Sequence, residues 1–218
     1  MAGRKNASFA VTKVRIGSTG VEADTRADTV AGEEPLEIRV GGQTLTTTMR
    51  TPGHDVELAH GFLHSEGHID KASDVQEARY CAGASVDGRN PYNLLDVELT
   101  NAQPLALTDL RLTTTTSACG VCGTSSIEAL MKQSRYEIPR VPVDPGVVAK
   151  LPEALKREQK QFRKTGGIHA AGAFTLDGEP VVVREDVGRH NAADKVIGHL
   201  LMEDKPVSYT HLTLPTKR

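Results

Sequence analysis

Residues 110–132 read LRLTTTTSACGVCGTSSIEALMK, and the fold class turns on this stretch. Leu110–Thr116 is rich in threonine and predicts a strand. Ile127–Lys132 predicts the first turns of a helix, with Ser125 and Glu128 at the spacing of a capping box. A strand that runs through a glycine-bearing loop into a helix belongs to the α/β class. Cys119 and Cys122 fall on that loop. A helix N-terminus presents unpaired N–H groups and partial positive charge, which favour thiolate over thiol. Thiolate is the nucleophilic form, so the placement suits sulfur chemistry.

The spacing alone leaves several readings open. A Cys-x-x-Cys pair serves as half of a zinc site, as a dithiol redox couple, or as two small packing residues. Structural zinc needs four ligands, and the remaining cysteine is Cys81. His60 and His64 are four residues apart, but they precede the cysteines, and no histidine pair at finger spacing follows them. A zinc-stabilised binding module using Cys119 and Cys122 is therefore the alternative function. Against a thioredoxin-like couple stand Gly120 and Gly123, which suit a swinging carrier better than a shielded redox switch.

Working outward, 218 residues are ample for a packed core. The net charge of −2 argues against a strong nucleic-acid binder, and 4% aromatic residues with no tryptophan leave base-stacking platforms poorly supplied. Three cysteines are too few for a disulfide framework and favour a reducing compartment. No apolar run has the length of a signal peptide core or a membrane span, so the expectation is a cytoplasmic protein with no nucleic-acid or membrane partner.

Strand alternation marks residues 8–16 and 36–40, and Gly41-Gly42 turns the second into 44–49. Residues 21–34, acidic and small, are expected to form an exposed loop. Asp55 is expected to cap a helix carrying Val56, Leu58, Ala59, Phe62 and Leu63, ended by Gly67. Residues 92–100 return to a strand, and 139–152, with four prolines, read as a linker. A polar helix is expected over 152–164, then a small-residue strand at 166–174. Asp177-Gly178 turns into Val181–Val183, and a helix follows with Ala192, Val196, Ile197 and Leu200. The apolar face of that helix has no obvious partner layer in the sequence. Residues 206–218 continue no element and resemble foreign coding sequence, so they are set apart from the fold as a non-native tail.

Four segments, in order, carry a family resemblance: RTPGHDVELAHGFLHSEGHI (50–69), TTTTSACGVCG (113–123), GGIHAAGAF (166–174) and REDVGRHNAADKVIGHLL (184–201). Together they resemble the formate dehydrogenase accessory sulfurtransferases of the molybdenum-cofactor pathway. The resemblance implies a mixed sheet with flanking helices, similar to cytidine deaminases, over 113–205, and a smaller β-rich part over 1–112. It implies a sulfurtransferase in which Cys119 carries a persulfide and Cys122 assists or releases the sulfur. The implied partners are a cysteine desulfurase, the formate dehydrogenase catalytic subunit and a second copy in a homodimer. The molybdenum cofactor, bis-molybdopterin guanine dinucleotide, is the implied bound substrate, with no permanent metal. The family continues beyond the last helix into a segment implicated in binding that cofactor, and here the tail stands in its place.

Two further readings rest on the residues. A zinc deaminase needs His-x-Glu and Pro-Cys-x-x-Cys. Here Ala170 and Ala171 follow His169 and Ala118 precedes Cys119, so deamination is excluded. Asp186, Arg189 and His190, beside a predicted helix start, are the candidate cofactor-binding residues through the helix N-terminus and the guanidinium. The competing reading is a capped helix with Asp186 and Arg189 paired or solvated. His169 is read as structural.

Overall fold

The computed structural model describes residues 5–18, 20–81, 92–101, 141–205 and 211–213. The chain opens with a two-stranded ribbon, β1 (Asn6–Gly17) and β2 (Gly20–Ala31), paired antiparallel without a bulge from Asn6↔Ala31 to Gly17↔Gly20. The loop expected over 21–34 is therefore largely a strand. Its residues are exposed, as their composition demands, but Val21, Ala23, Thr25, Ala27 and Thr29 alternate with Glu22, Asp24, Arg26 and Asp28. That two-residue period satisfies a strand with both faces in water.

β3 (Glu34–Val40) and β4 (Gln43–Arg50) form the expected hairpin. Gly41 and Gly42 turn it with φ of 57° and 79°, a pair of left-handed residues that glycine alone adopts at no cost. After α1 (Asp55–Glu66) and a short 3₁₀ turn, β5 (Val75–Tyr80) and β6 (Leu94–Leu99) complete a sheet of order β4-β3-β6-β5. β3 and β6 run parallel and the other neighbours antiparallel, so the sheet is mixed. Leu36, Ile38, Leu45, Leu95 and Val97 of the sheet bury themselves against Leu58, Ala59 and Leu63 of α1. β5 escaped the sequence reading because Val75–Tyr80 places Gln76, Glu77 and Arg79 among its six residues.

The second half begins with α2 (Pro145–Val148), where the Asp144 carboxylate accepts the Gly146 N–H at 2.7 Å. The expected single helix over 152–164 is two: α3 (Leu151–Glu158) and α4 (Lys160–Thr165). Gln159, at ψ 79°, leaves the helical region between them. The orphan N–H groups of Gln161 and Phe162 are capped from a distance by the Glu185 carboxylate at 2.8 and 2.7 Å. β7 (His169–Phe174) and β8 (Pro180–Asp186) then form an antiparallel pair, followed by α5 (Arg189–Met202). His211–Thr213, β9, runs antiparallel to the other side of β7. The tail set apart in the sequence reading thus contributes a short element at the sheet.

Helices cover both faces of the β7–β8 pair. Leu151, Ala154 and Leu155 of α3 pack with Ala170 and Phe174, while Ala192, Val196 and Leu200 of α5 pack on Ala171, Ala173 and Val182. The expectation that α5 lacks a partner layer is corrected here. Its layer is the alanine face of β7, too small-sided to announce itself as a hydrophobic run. α5 also crosses α1 with backbone against backbone. A Cβ on Gly61 would collide with the Asp194 carbonyl, and one on Gly198 with the Glu57 carbonyl.

Candidate functional site

The site grows from residues 50–55, where β4 hands over to α1. Arg50 and Asp55 are both buried, and the guanidinium meets the carboxylate through Nε at 3.1 Å and Nη2 at 3.0 Å. The remaining donors go to the Glu34 carbonyl (3.3 Å) and the Tyr92 carbonyl (3.3 Å). Tyr80 donates its hydroxyl to Asp55 at 2.9 Å. Burial, with the Asp55 charge and hydrogen bond, pushes the Tyr80 phenol well up. Asp55 was expected as the helix cap. Instead His54 occupies that position in the left-handed region (φ 59°, ψ 30°) with no side-chain cap, because the Asp55 carboxylate is spent on Arg50 and on the Gly53 N–H at 3.2 Å.

A second buried pair ties this loop to the other half. Lys195 of α5 donates to Asp186 at 2.6 Å and to the Thr51 carbonyl at 2.8 Å. Asp186 also accepts from the N–H groups of Thr51 (3.1 Å) and Gly188 (2.8 Å) and from the Asn191 amide (3.1 Å). That amide reaches the Met49 carbonyl at 2.8 Å as well. Beside it, Glu57 binds Arg184 at 2.5 and 2.7 Å and faces His54 and His199, each at 3.2 Å. Burial alone would push the Glu57 carboxyl up. The bonds from Arg184 and His54 outweigh it and hold the group well below the usual range.

Between the 51–54 loop, the start of α4 and β8 lies a cleft of about 570 Å³. Its polar walls include Lys5, His54, Lys160, Gln161 and Glu158. Among the described residues no three His, Cys, Asp or Glu side chains converge as metal ligands. His60 and His64 turn Nδ1 to the carbonyls of Val56 (2.8 Å) and Ile69 (3.2 Å), and burial holds the His60 imidazole down.

Of the residues singled out in the sequence, Cys119 and Cys122 lie outside the described residues. Asp186 does sit at the helix start, but its carboxylate points inward to Lys195 rather than to Arg189. Arg189 and His190, on the first turn of α5, are exposed. Burial first, and the Arg189 charge second, lower the His190 imidazole. His169 opens β7 opposite Asp186. Sequence reasoning missed Lys195, Arg50 and Glu57. The signal for Lys195 was available: it stands beside Val196 on the inward stripe of α5, where a lysine demands a buried carboxylate.

The fold and this polar junction define a mixed α/β protein whose two halves are stapled through α1 and α5. Its fold is that of a protein from Desulfotalea psychrophila described as a formate dehydrogenase accessory protein. That structure matches with a TM-score of 0.63 at 22% identity, covering 95% of this chain and 73% of the other. The FdhD/NarQ family model matches residues 31–216, and the chain belongs to this family. Relatives named Sulfur carrier protein FdhD include one from Corynebacterium efficiens, 53% identical over 99% of this chain and 80% of its own length. Another, from Nocardia farcinica, is 53% identical over 83% of this chain and 64% of its own length. A third, from Streptomyces coelicolor, is 47% identical over 94% of this chain and 73% of its own. No helix among the described residues is long and apolar enough to cross a membrane.

Proposed function

We propose that this protein is a cytoplasmic sulfur carrier for the maturation of formate dehydrogenase. The observation that carries the reading is the identity of about half across nearly the whole chain to proteins named as sulfur carriers. The Cys119-x-x-Cys122 pair between glycines supplies the chemistry. The Cys119 thiolate attacks the outer sulfur of a cysteine desulfurase persulfide, which leaves as the desulfurase thiolate, and Cys119 becomes the persulfide. The Cys122 thiolate then attacks the Cys119 sulfur. A Cys119–Cys122 disulfide forms, the outer sulfur departs as sulfide, and a cellular dithiol reduces the disulfide. The recipient is the molybdenum of bis-molybdopterin guanine dinucleotide, bound as substrate and delivered to the formate dehydrogenase catalytic subunit. Arg189 and His190, exposed at the first turn of a fourteen-residue helix, are offered to the cofactor phosphates. Asp186 acts by fixing the start of that helix. A deaminase-like second half agrees with helices on both faces of β7–β8.

Incubation with a cysteine desulfurase and cysteine, followed by mass spectrometry, is expected to find one added sulfur on Cys119. Cys119→Ala abolishes sulfur transfer and leaves folding intact. Cys122→Ala still takes up the sulfur but turns over slowly. Full formate dehydrogenase maturation by Cys119→Ala overturns the mechanism.

A further inference from the structure

β8 is the outer strand of its sheet, with β7 on one side and no strand on the other among the described residues. The cleft runs along that open side and is walled by every residue from Pro180 to Glu185 in succession. Successive residues of a strand point to opposite faces of the sheet. A wall made of all six is therefore the backbone edge of β8 and neither of its faces. The Val183 carbonyl takes a bond from Arg184 Nη1 at 3.0 Å. Among the described residues the other edge groups of residues 181–185 have no backbone partner outside β7. An edge of this kind is a template for a further strand.

The charges at the cleft select what that strand carries. Arg184 is committed to Glu57, Lys195 to Asp186, and Glu185 to the N–H groups that begin α4. Lys5 and Lys160 are exposed on the walls and have no ion-pair partner among the described residues, and Glu158 is the one carboxylate left to oppose them. His54 adds a ring whose Nδ1 is already turned to Glu57.

We propose that the cleft is a strand-addition site, in which the free edge of β8 pairs with an extended, acidic segment of a partner protein. Backbone bonds to β8 supply affinity, and carboxylates reaching Lys5 and Lys160 supply selection. The seven residues of β8 span about 23 Å, room for a segment of about six residues.

The probe is a fluorescein-labelled peptide of alternating valine and aspartate, six residues long, titrated into the whole protein, with a valine–lysine peptide as control. The aspartate peptide binds at least about tenfold more tightly than the control, a gap that two charge contacts account for. Hydrogen exchange slows at residues 180–186 in its presence. The double variant Lys5→Glu/Lys160→Glu loses at least about tenfold in affinity while its melting temperature stays unchanged, both side chains being exposed. Equal binding of the two peptides, or no binding, overturns the proposal. So does protection of 180–186 without peptide: rising with protein concentration it assigns the edge to a second copy, and independent of concentration it assigns it to this chain's own segment. Peptide binding and amide exchange do not involve sulfur transfer, so this site and the sulfur-carrier reading fail separately.

Discussion

The crossing of α1 and α5 has two ends with opposite electrostatics. At one end Glu57 faces Arg184, with His54 and His199 beside it. Behind that end Asp186 faces Lys195. At the other end Asp194 has, among the described residues, only the Ser65 hydroxyl as a side-chain partner, 3.0 Å away. Burial pushes the Asp194 carboxyl up to about 7 despite that bond, and Glu66 and Asp186 add to the rise. Two helices packed glycine to backbone leave no slack for side chains to rearrange. Each carboxylate must accept the company its position provides. The matched end is where the halves are locked, and the unmatched end is tolerated.

The largest effect comes from breaking the lock. Lys195 is 1% exposed and Asp186 fully buried, so Lys195→Met leaves an uncompensated buried carboxylate, which costs about 3–5 kcal/mol. Chemical denaturation measures it as a large drop in midpoint. A loss below about 1 kcal/mol would mean that the Asp186 hydrogen bonds from Thr51, Gly188 and Asn191 suffice alone.

What was legible in the sequence follows the same division. Elements with apolar periodicity or glycine turns, such as β3–β4, α1 and the Asp177-Gly178 hairpin, were readable because local chemistry specifies them. Asp186 was readable as important, yet its partner was not. Arg189 lies three residues away in sequence, whereas Lys195 is nine away and reaches it only because α5 folds back over β8. Glu57 and Arg184 are 127 residues apart, and no local pattern joins them. β2 was lost for another reason: a ribbon with both faces in water needs no hydrophobic stripe, so its only mark is alternation. The break at Gln159 was hidden because its capping carboxylate, Glu185, arrives from another strand.

A middle-sized effect sharpens the unmatched end. With a native carboxyl raised from 3.8 to about 7, the folded protein binds a proton that the unfolded chain has released. Stability from this group is fully present below about pH 4 and is lost as pH rises through 7. Asp194→Asn keeps an acceptor for Ser65 and removes that loss. The variant gains about 1–2 kcal/mol over wild type at pH 8, after discounting for partial exposure, and nothing at pH 4. Melting curves at the two pH values decide it, and an equal shift at both would show that charge is not the cause.

The smallest effect belongs to Glu57, and its sign is reversed. Here the native carboxyl is lowered, so the unfolded chain takes up protons first as pH falls. The stabilisation is fully present above about pH 5 and is lost as the solution is acidified through and below the ordinary glutamate range. Glu57→Gln retains an oxygen for Arg184 but not the charge. Both side chains are partly solvated, at 14% and 17% exposure, so the pair sits between surface and interior. The expected loss is about 1 kcal/mol at pH 7; it is smaller at pH 3 and vanishes only at still lower pH, once the native carboxyl itself takes up a proton. A loss that is the same at pH 3 as at pH 7 would make Glu57 a packing residue and remove the electrostatic contrast between the two ends of the crossing.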